Sequence, residues 1–257
     1  MDRAISRLDL RLALRALPAA PALTLVGVPI RLDLSCVFAL ALASWTVADA
    51  ILPEAAPGRA ARAYWAGGTT AALLLLASLG IHELAHAVAA RRVGLRVRGI
   101  TLSLLGGALE LADRPTTALN ELRVAVAGPL ANLVLAIAAA ITHVALVELG
   151  ADPLSAAVAG VLAMLNTFIA LFNLVPAVPL DGGRIAAALV WLITGRQDVA
   201  ARTLSVAGRL LGGVCLFLCV MGSASGDAGI ALWLALIGLA LWSGEPAPAD
   251  RRVAIQA

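Results

Sequence analysis

The chain has 257 residues, 61% of them hydrophobic and only 14% charged, with a mean hydropathy of +0.94. A soluble domain carries about 25% charged residues, so the composition excludes a soluble globular protein and reads as an integral membrane protein. All 19 basic residues are arginines scattered between apolar runs, so the net charge of +3 gives no nucleic-acid signal.

Residues 1–33 read as a basic cytoplasmic leader, with Arg3, Arg7, Arg11 and Arg15 on one helical face. This spacing suits an interfacial amphipathic helix as well as a partly ordered leader, and no secretory cleavage site is evident. Gly27 to Arg31 reads as a short extended lead-in. A first span is expected over about 34–51, and a short loop with Arg59 and Arg62 follows. A second span is expected over about 64–90, with Arg91, Arg92, Arg96 and Arg98 directly after it. Residues 95–112 mix β-branched residues with Gly and Ser around Gly106-Gly107, which predicts two short strands. A third span over about 121–147 contains Gly128-Pro129, where the missing amide hydrogen should bend the helix or bring it close to a neighbour. A fourth span covers about 154–174. Pro176, Pro179, Gly182 and Gly183 then forbid a regular helix until one resumes at about Arg184 and runs to Thr194. Fifth and sixth spans are expected over about 204–221 and 229–242, both marginal against the ~20 residues a crossing needs. The three cysteines, Cys36, Cys215 and Cys219, sit in apolar runs without metal-ligand spacing.

The expected fold is therefore an all-α polytopic membrane protein. It has about six transmembrane helices and a short membrane-associated β element between spans two and three. Residues 34–245 form the transmembrane domain, with a core over about 64–195, and residues 246–257 form a short cytoplasmic tail. With the N-terminus cytoplasmic, alternate loops place 17 of the 19 arginines inside. That asymmetry favours both termini in the cytoplasm and suits a plasma-membrane protein in contact with the bilayer.

Within the second span stands Ile81-His82-Glu83-Leu84-Ala85-His86-Ala87. Histidines four apart share a helix face, and a glutamate beside the first completes the H-E-x-x-H pattern of zinc peptidases. The chain has three histidines, and two are here. Placed inside a span, such groups are costly unless they face a partner. A catalytic zinc takes three protein ligands and leaves one position for water. Spans two and four both run inward, so the loop carrying Asp181, 95 residues after His86, reaches the same level. His82, His86 and Asp181 are the expected ligands of one zinc ion, Glu83 the general base, and Asn173 the oxyanion donor. His143 is the obvious rival ligand, but it falls near the opposite membrane face. Glu110 and Asp113 rank below Asp181.

These pieces together resemble the site-2 protease family of intramembrane zinc metalloproteases. The resemblance rests on His82-Glu83-Leu84-Ala85-His86, Leu105-Gly106-Gly107, Ala127-Gly128-Pro129, Phe172-Asn173-Leu174-Val175-Pro176 and Pro179-Leu180-Asp181-Gly182-Gly183, in the family's order over about residues 25–245. It implies a three-span core holding the zinc through His82, His86 and Asp181, with Glu83 catalytic and Asn173 in the family's loop-asparagine position. The substrate would be a transmembrane protein, such as an anti-sigma factor or a signal-peptide remnant. Only about 40 residues, nearly all apolar, separate Gly128-Pro129 from Asn173, so neither a PDZ domain between the halves nor a C-terminal CBS pair is expected. Leu102, Ser103, Leu104, Leu105, Gly106 and Gly107 are the expected substrate-binding stretch, an edge onto which an unwound substrate could add as a strand. The alternative is a non-proteolytic zinc-binding scaffold or metal-handling transporter. Glu83 and the lack of ionisable residues in several spans weigh against it.

Overall fold

In the computed structural model, residues 23–104, 106–196, 198–224 and 228–243 are described. The basic leader up to residue 22, Leu105 and the C-terminal tail lie outside them. The chain opens with β1 (Leu23–Leu25) and β2 (Val28–Leu32). A helix α1 (Ser35–Ala55) follows, with a π-helical stretch at Val47–Ile51. Then come α2 (Ala61–Arg92), β3 (Val97–Ser103), β4 (Gly106–Leu111), α3 (Ala118–Glu148) and α4 (Pro153–Asn173). The last three elements are α5 (Asp181–Thr194), α6 (Asp198–Ala224) and α7 (Ala228–Ser243).

Among the described residues five helical segments are long and apolar enough to cross a membrane: α1, α2, α3, α4 and Leu204–Gly222 within α6. The expected sixth span corresponds to a shorter apolar helix, Gly229–Trp242. The molecule is thus a mainly helical, multi-pass membrane protein. Many of its closest helix contacts are made through small residues, beside a cluster of larger ones around Leu52 and Val161 between α1, α2 and α4. Gly67, Gly68, Ala71, Ala72, Ala87 and Ala90 are all buried on α2. A methyl group at Gly68 would lie 2.6 Å from the Ser44 carbonyl oxygen of α1. Large side chains such as Leu130, Val134, Ile137 and Ile141 of α3 instead point outward. Lipid offers Leu no poorer home than a protein interior does, so close backbone approach drives helix association here.

The strands form one sheet in the order β1-β2-β3-β4, larger than the two-stranded element expected from sequence. β1 and β2 are an antiparallel hairpin, β2 and β3 pair in parallel, and β3 and β4 are antiparallel. A parallel pair needs a crossover, and here α1 and α2 provide it. The stretch read as a lead-in therefore becomes a sheet strand, with Ile30 opposite Ile100 and Leu32 opposite Leu102. Alternation sends Val28, Ile30, Ile100 and Leu102 against Ala87 and Leu84 of α2. The guanidinium of Arg91 donates to the Val26 and Gly27 carbonyls at 2.6 and 2.8 Å. This fixes the sheet at the end of α2 that carries the histidines.

Candidate metal centre

Ser78, His82, His86 and Ala90 recur every four residues on α2, so they form one buried stripe. The stripe faces α3 and α5. Asp181 is the first residue of α5, and the loop before it folds back so closely that a methyl group at Gly182 would collide with the Leu174 and Val175 carbonyls. A methyl group at Gly183 would lie 2.7 Å from the Ala177 carbonyl. Glycines in this helix therefore mark contact with its own incoming loop, which is why Asp181 starts the helix three residues before the expected Arg184.

The fold brings His82, His86 and Asp181 together, all buried, with one potential ligand atom of each within 4.8 Å of the others. The two Nε2 atoms are 3.1 Å apart, and Asp181 Oδ2 lies 3.1 Å from His82 Nε2 and 3.0 Å from His86 Nε2. The opposite ring nitrogens fix what these atoms are. His82 Nδ1 faces the side-chain oxygen of Asn132, and His86 Nδ1 donates to the Val124 carbonyl at 2.7 Å. Both partners only accept, so each imidazole carries a hydrogen on Nδ1 and, as the neutral ring that binds a metal, turns the Nε2 lone pair inward. Three lone-pair atoms then converge with no hydrogen between them, an arrangement that a cation relieves. Ligand atoms about 2.0–2.2 Å from a tetrahedral zinc stand about 3.3–3.6 Å apart, close to the spacing here. Two imidazoles and one carboxylate suit zinc, and Gly128 of α3 leaves the space open. A methyl group there would collide with His86 Nε2 and lie 2.5 Å from His82 Nε2.

Glu83 is buried beside the cluster, and β4 covers it. A methyl group at Gly107 would lie 2.5 Å from its carboxylate. The Arg184 guanidinium donates to Glu121 at 2.8 Å and lies 3.5 Å from Asp181 Oδ1, the carboxylate oxygen turned away from the histidines. Asn173 ends α4 and donates to Ile169, four residues back on its own helix, at 3.0 Å. The structure thus engages it locally rather than in the cluster. His143 lies away from the cluster and donates to the Ala156 carbonyl at 2.7 Å, between α3 and α4. Glu110 accepts from Thr101 and Arg31, and Asp113 is gripped by Arg96.

The expected substrate-binding stretch divides. Leu102 pairs with Leu32 on one side and Gly107 on the other, and Ser103 pairs with Gly106. The Leu102 carbonyl also receives the Asp33 amide, and the Leu104 amide donates to Ser35. Leu102 is paired on both sides and so cannot receive an added strand, while Ser103 is paired on its β4 side and the Leu104 amide is already bonded. Of this stretch only Gly106 and Gly107 lie on an outer strand, β4, the opposite edge being β1, and Leu105 lies outside the described residues. Residues that the sequence reading missed are Asn132, Asn166, Ser78, Glu121 and Arg184. The detectable signal was Asn132 and Asn166, uncharged amides at mid-depth in spans that are otherwise apolar.

A family model described as peptidase family M50 matches residues 70–153 and 151–218. Rip3 of Mycobacterium tuberculosis, assigned as a zinc metalloprotease, is 36% identical over 220 residues, covering 86% of this chain and 56% of its own length. The protein sll0528 of Synechocystis sp., assigned likewise, is 37% identical over 176 residues, covering 68% of this chain and 45% of its own. The chain thus spans about half the length of these curated relatives. The site-2 protease from Methanocaldococcus jannaschii superposes with a TM-score of 0.61 over 91% of this chain and 97% of that one, at 24% identity. At that identity the likeness concerns the fold.

Proposed function

The chain belongs to peptidase family M50, and on that premise we propose that it is an intramembrane zinc metalloendopeptidase cutting peptide bonds in or near the transmembrane segments of other membrane proteins. The observation that carries this is the convergence of His82 Nε2, His86 Nε2 and Asp181 Oδ2 inside a membrane-spanning core, with Glu83 buried alongside. The three residues are the ligands of one zinc ion. Bound there, zinc supplies a Lewis acid that acidifies a water and polarises the scissile carbonyl.

The chain's own groups do the rest. Glu83 takes the proton that the attacking water gives up, and later delivers it to the departing amine nitrogen. Asp181 offsets the cation's charge with one carboxylate oxygen. Asn173 has two amide hydrogens and spends one on Ile169, which leaves the other for the oxygen of the tetrahedral intermediate. A substrate helix hides its peptide bonds and must unwind. The outer edge of β4 then offers main-chain groups in place of those lost, and Gly107 brings that edge against Glu83. Substrates of the anti-sigma-factor or signal-peptide-remnant kind fit this scheme. The site lies toward the cytoplasmic side of the plasma membrane, with both termini in the cytoplasm.

The test separates metal binding from cleavage. Glu83→Gln should retain zinc and abolish hydrolysis of a transmembrane reporter, whereas His82→Ala should lose both. If Glu83→Gln cleaves at the wild-type rate, the protease reading fails and a zinc-binding scaffold remains.

A further inference from the structure

We propose that α3, which contributes none of the three converging atoms, is the template that positions all of them. Asn132 holds His82, the Val124 carbonyl holds His86, and Glu121 holds Asp181 through Arg184. The inference deepens the metal-site reading above and rests on it.

Glu121, Val124, Gly128 and Asn132 are spaced by three, four and four residues, so they occupy one stripe of α3. From that stripe each ligand is gripped at the atom opposite the one that points inward. His82 and His86 are held at Nδ1. Asp181 is held at Oδ1 by Arg184, which Glu121 anchors in turn. Gly128, in the middle of the stripe, lies against the two Nε2 atoms. One rigid helix thus fixes the relative placement of groups carried by two others.

The hydrogen bonds behind His82 run in one direction only. His82 Nδ1 donates to Asn132, Asn132 Nδ2 donates to Asn166 at 2.8 Å, and Asn166 Nδ2 donates to the Leu162 carbonyl at 2.9 Å and to Ser78 Oγ at 3.3 Å. Ser78 Oγ donates to the Leu74 carbonyl at 3.0 Å. Turning the Asn132 amide over would set its hydrogens against those of His82 and its oxygen against that of Asn166. Both asparagines are almost wholly buried, at 0% and 2% exposure. At this depth a polar side chain is costly unless it is fully bonded, and an apolar residue would serve packing better. Asn132 and Asn166 are therefore positioning residues, and they hold His82 in its metal-ready tautomer before any ion arrives.

The test uses the full chain in lipid nanodiscs, with zinc affinity read by competition against a chelator and the melting temperature of the metal-free protein read in parallel. Asn132→Leu keeps the volume and removes the acceptor, so affinity should fall about 10- to 100-fold, as for other partners of metal-bound histidines. Asn132→Asp should recover most of it, because a protonated carboxyl can accept from His82 and donate to Asn166. Glu121→Gln should weaken binding less, since the Arg184 pair is partly exposed. Asn132→Leu binding zinc as the wild type does overturns the proposal, and so does Asn132→Asp as weak as Asn132→Leu. A readout without variants is the 15N spectrum of the metal-free protein, in which three histidines give separable signals. His82 should carry its proton on Nδ1, and a proton on Nε2 overturns the proposal even if Asn132→Leu fails to fold. A wild-type chain that shows the Nδ1 proton yet binds no zinc refutes the metal reading and leaves the template geometry standing.

Discussion

Two glycines mark the site's walls, and their substitution separates binding from chemistry. A side chain at Gly128 would intrude on both histidine Nε2 atoms, while one at Gly107 would intrude on Glu83. A close-packed interior leaves either neighbour little room to yield. Gly128→Ala should therefore lower zinc affinity by at least tenfold, measured by chelator competition, and abolish cleavage as a consequence. Gly107→Ala should leave zinc affinity within about twofold and still abolish cleavage of a transmembrane reporter. If the two variants behave alike in the zinc assay, β4 does not approach the base as the structure has it. Neither role could be read from the sequence, where both positions are simply glycines inside motifs. What each glycine touches depends on an element dozens of residues away.

The elements differ in how far local sequence determines them. Apolar runs located the second span within about three residues of α2 at either end, because lipid sets span length directly. The pairing of β2 with β3 was invisible, since it joins segments about 70 residues apart across two helices. The start of α5 was obscured because Asp181-Gly182-Gly183 has turn composition, and only the returning loop explains glycine within a helix. The convergence of the histidine pair with Asp181 was legible from residue chemistry and span order, whereas the Val124 anchor on α3 was not, because a backbone carbonyl has no sequence signature. The tie at the base of the β3–β4 hairpin makes a separate prediction. Arg96 donates to both Asp113 oxygens at 2.8 Å, and these bonds hold the Asp113 carboxyl below the usual aspartate range. A depressed folded value means the pair supports the folded hairpin above the ordinary aspartate pKa of about 3.9. That support is lost as pH falls through the lower folded value. Hydrogen exchange over Val97–Leu111 should be faster in Asp113→Asn than in the wild type at neutral pH, and the difference should vanish in strong acid. A difference that persists below the folded value would mean the ion pair is not what ties the hairpin.

At the scale of the whole molecule, the sheet and the metal centre both sit at the end of α2 that carries Arg91 and Arg92. At the other end, Arg59 pairs with Asp152 and the Tyr64 hydroxyl donates to the Ala56 carbonyl. In the orientation proposed above, with the arginine-rich loops inside, the sheet end faces the cytoplasm. His86 and His82 lie six and ten residues before Arg92, so at 1.5 Å per residue they sit about 9–15 Å from that end. Under that orientation water and an unwound substrate would reach Glu83 from the cytoplasm. A chain of the opposite orientation would open the same site to the exterior. Single cysteines at Pro57 and Arg98, both exposed, decide between the two in a background where Cys36, Cys215 and Cys219 are replaced. In intact cells a membrane-impermeant maleimide should label Pro57→Cys at once and Arg98→Cys only after permeabilisation. The reverse pattern would move the metal centre to the outer leaflet and remove cytoplasmic access to it, whatever the cleavage assays show.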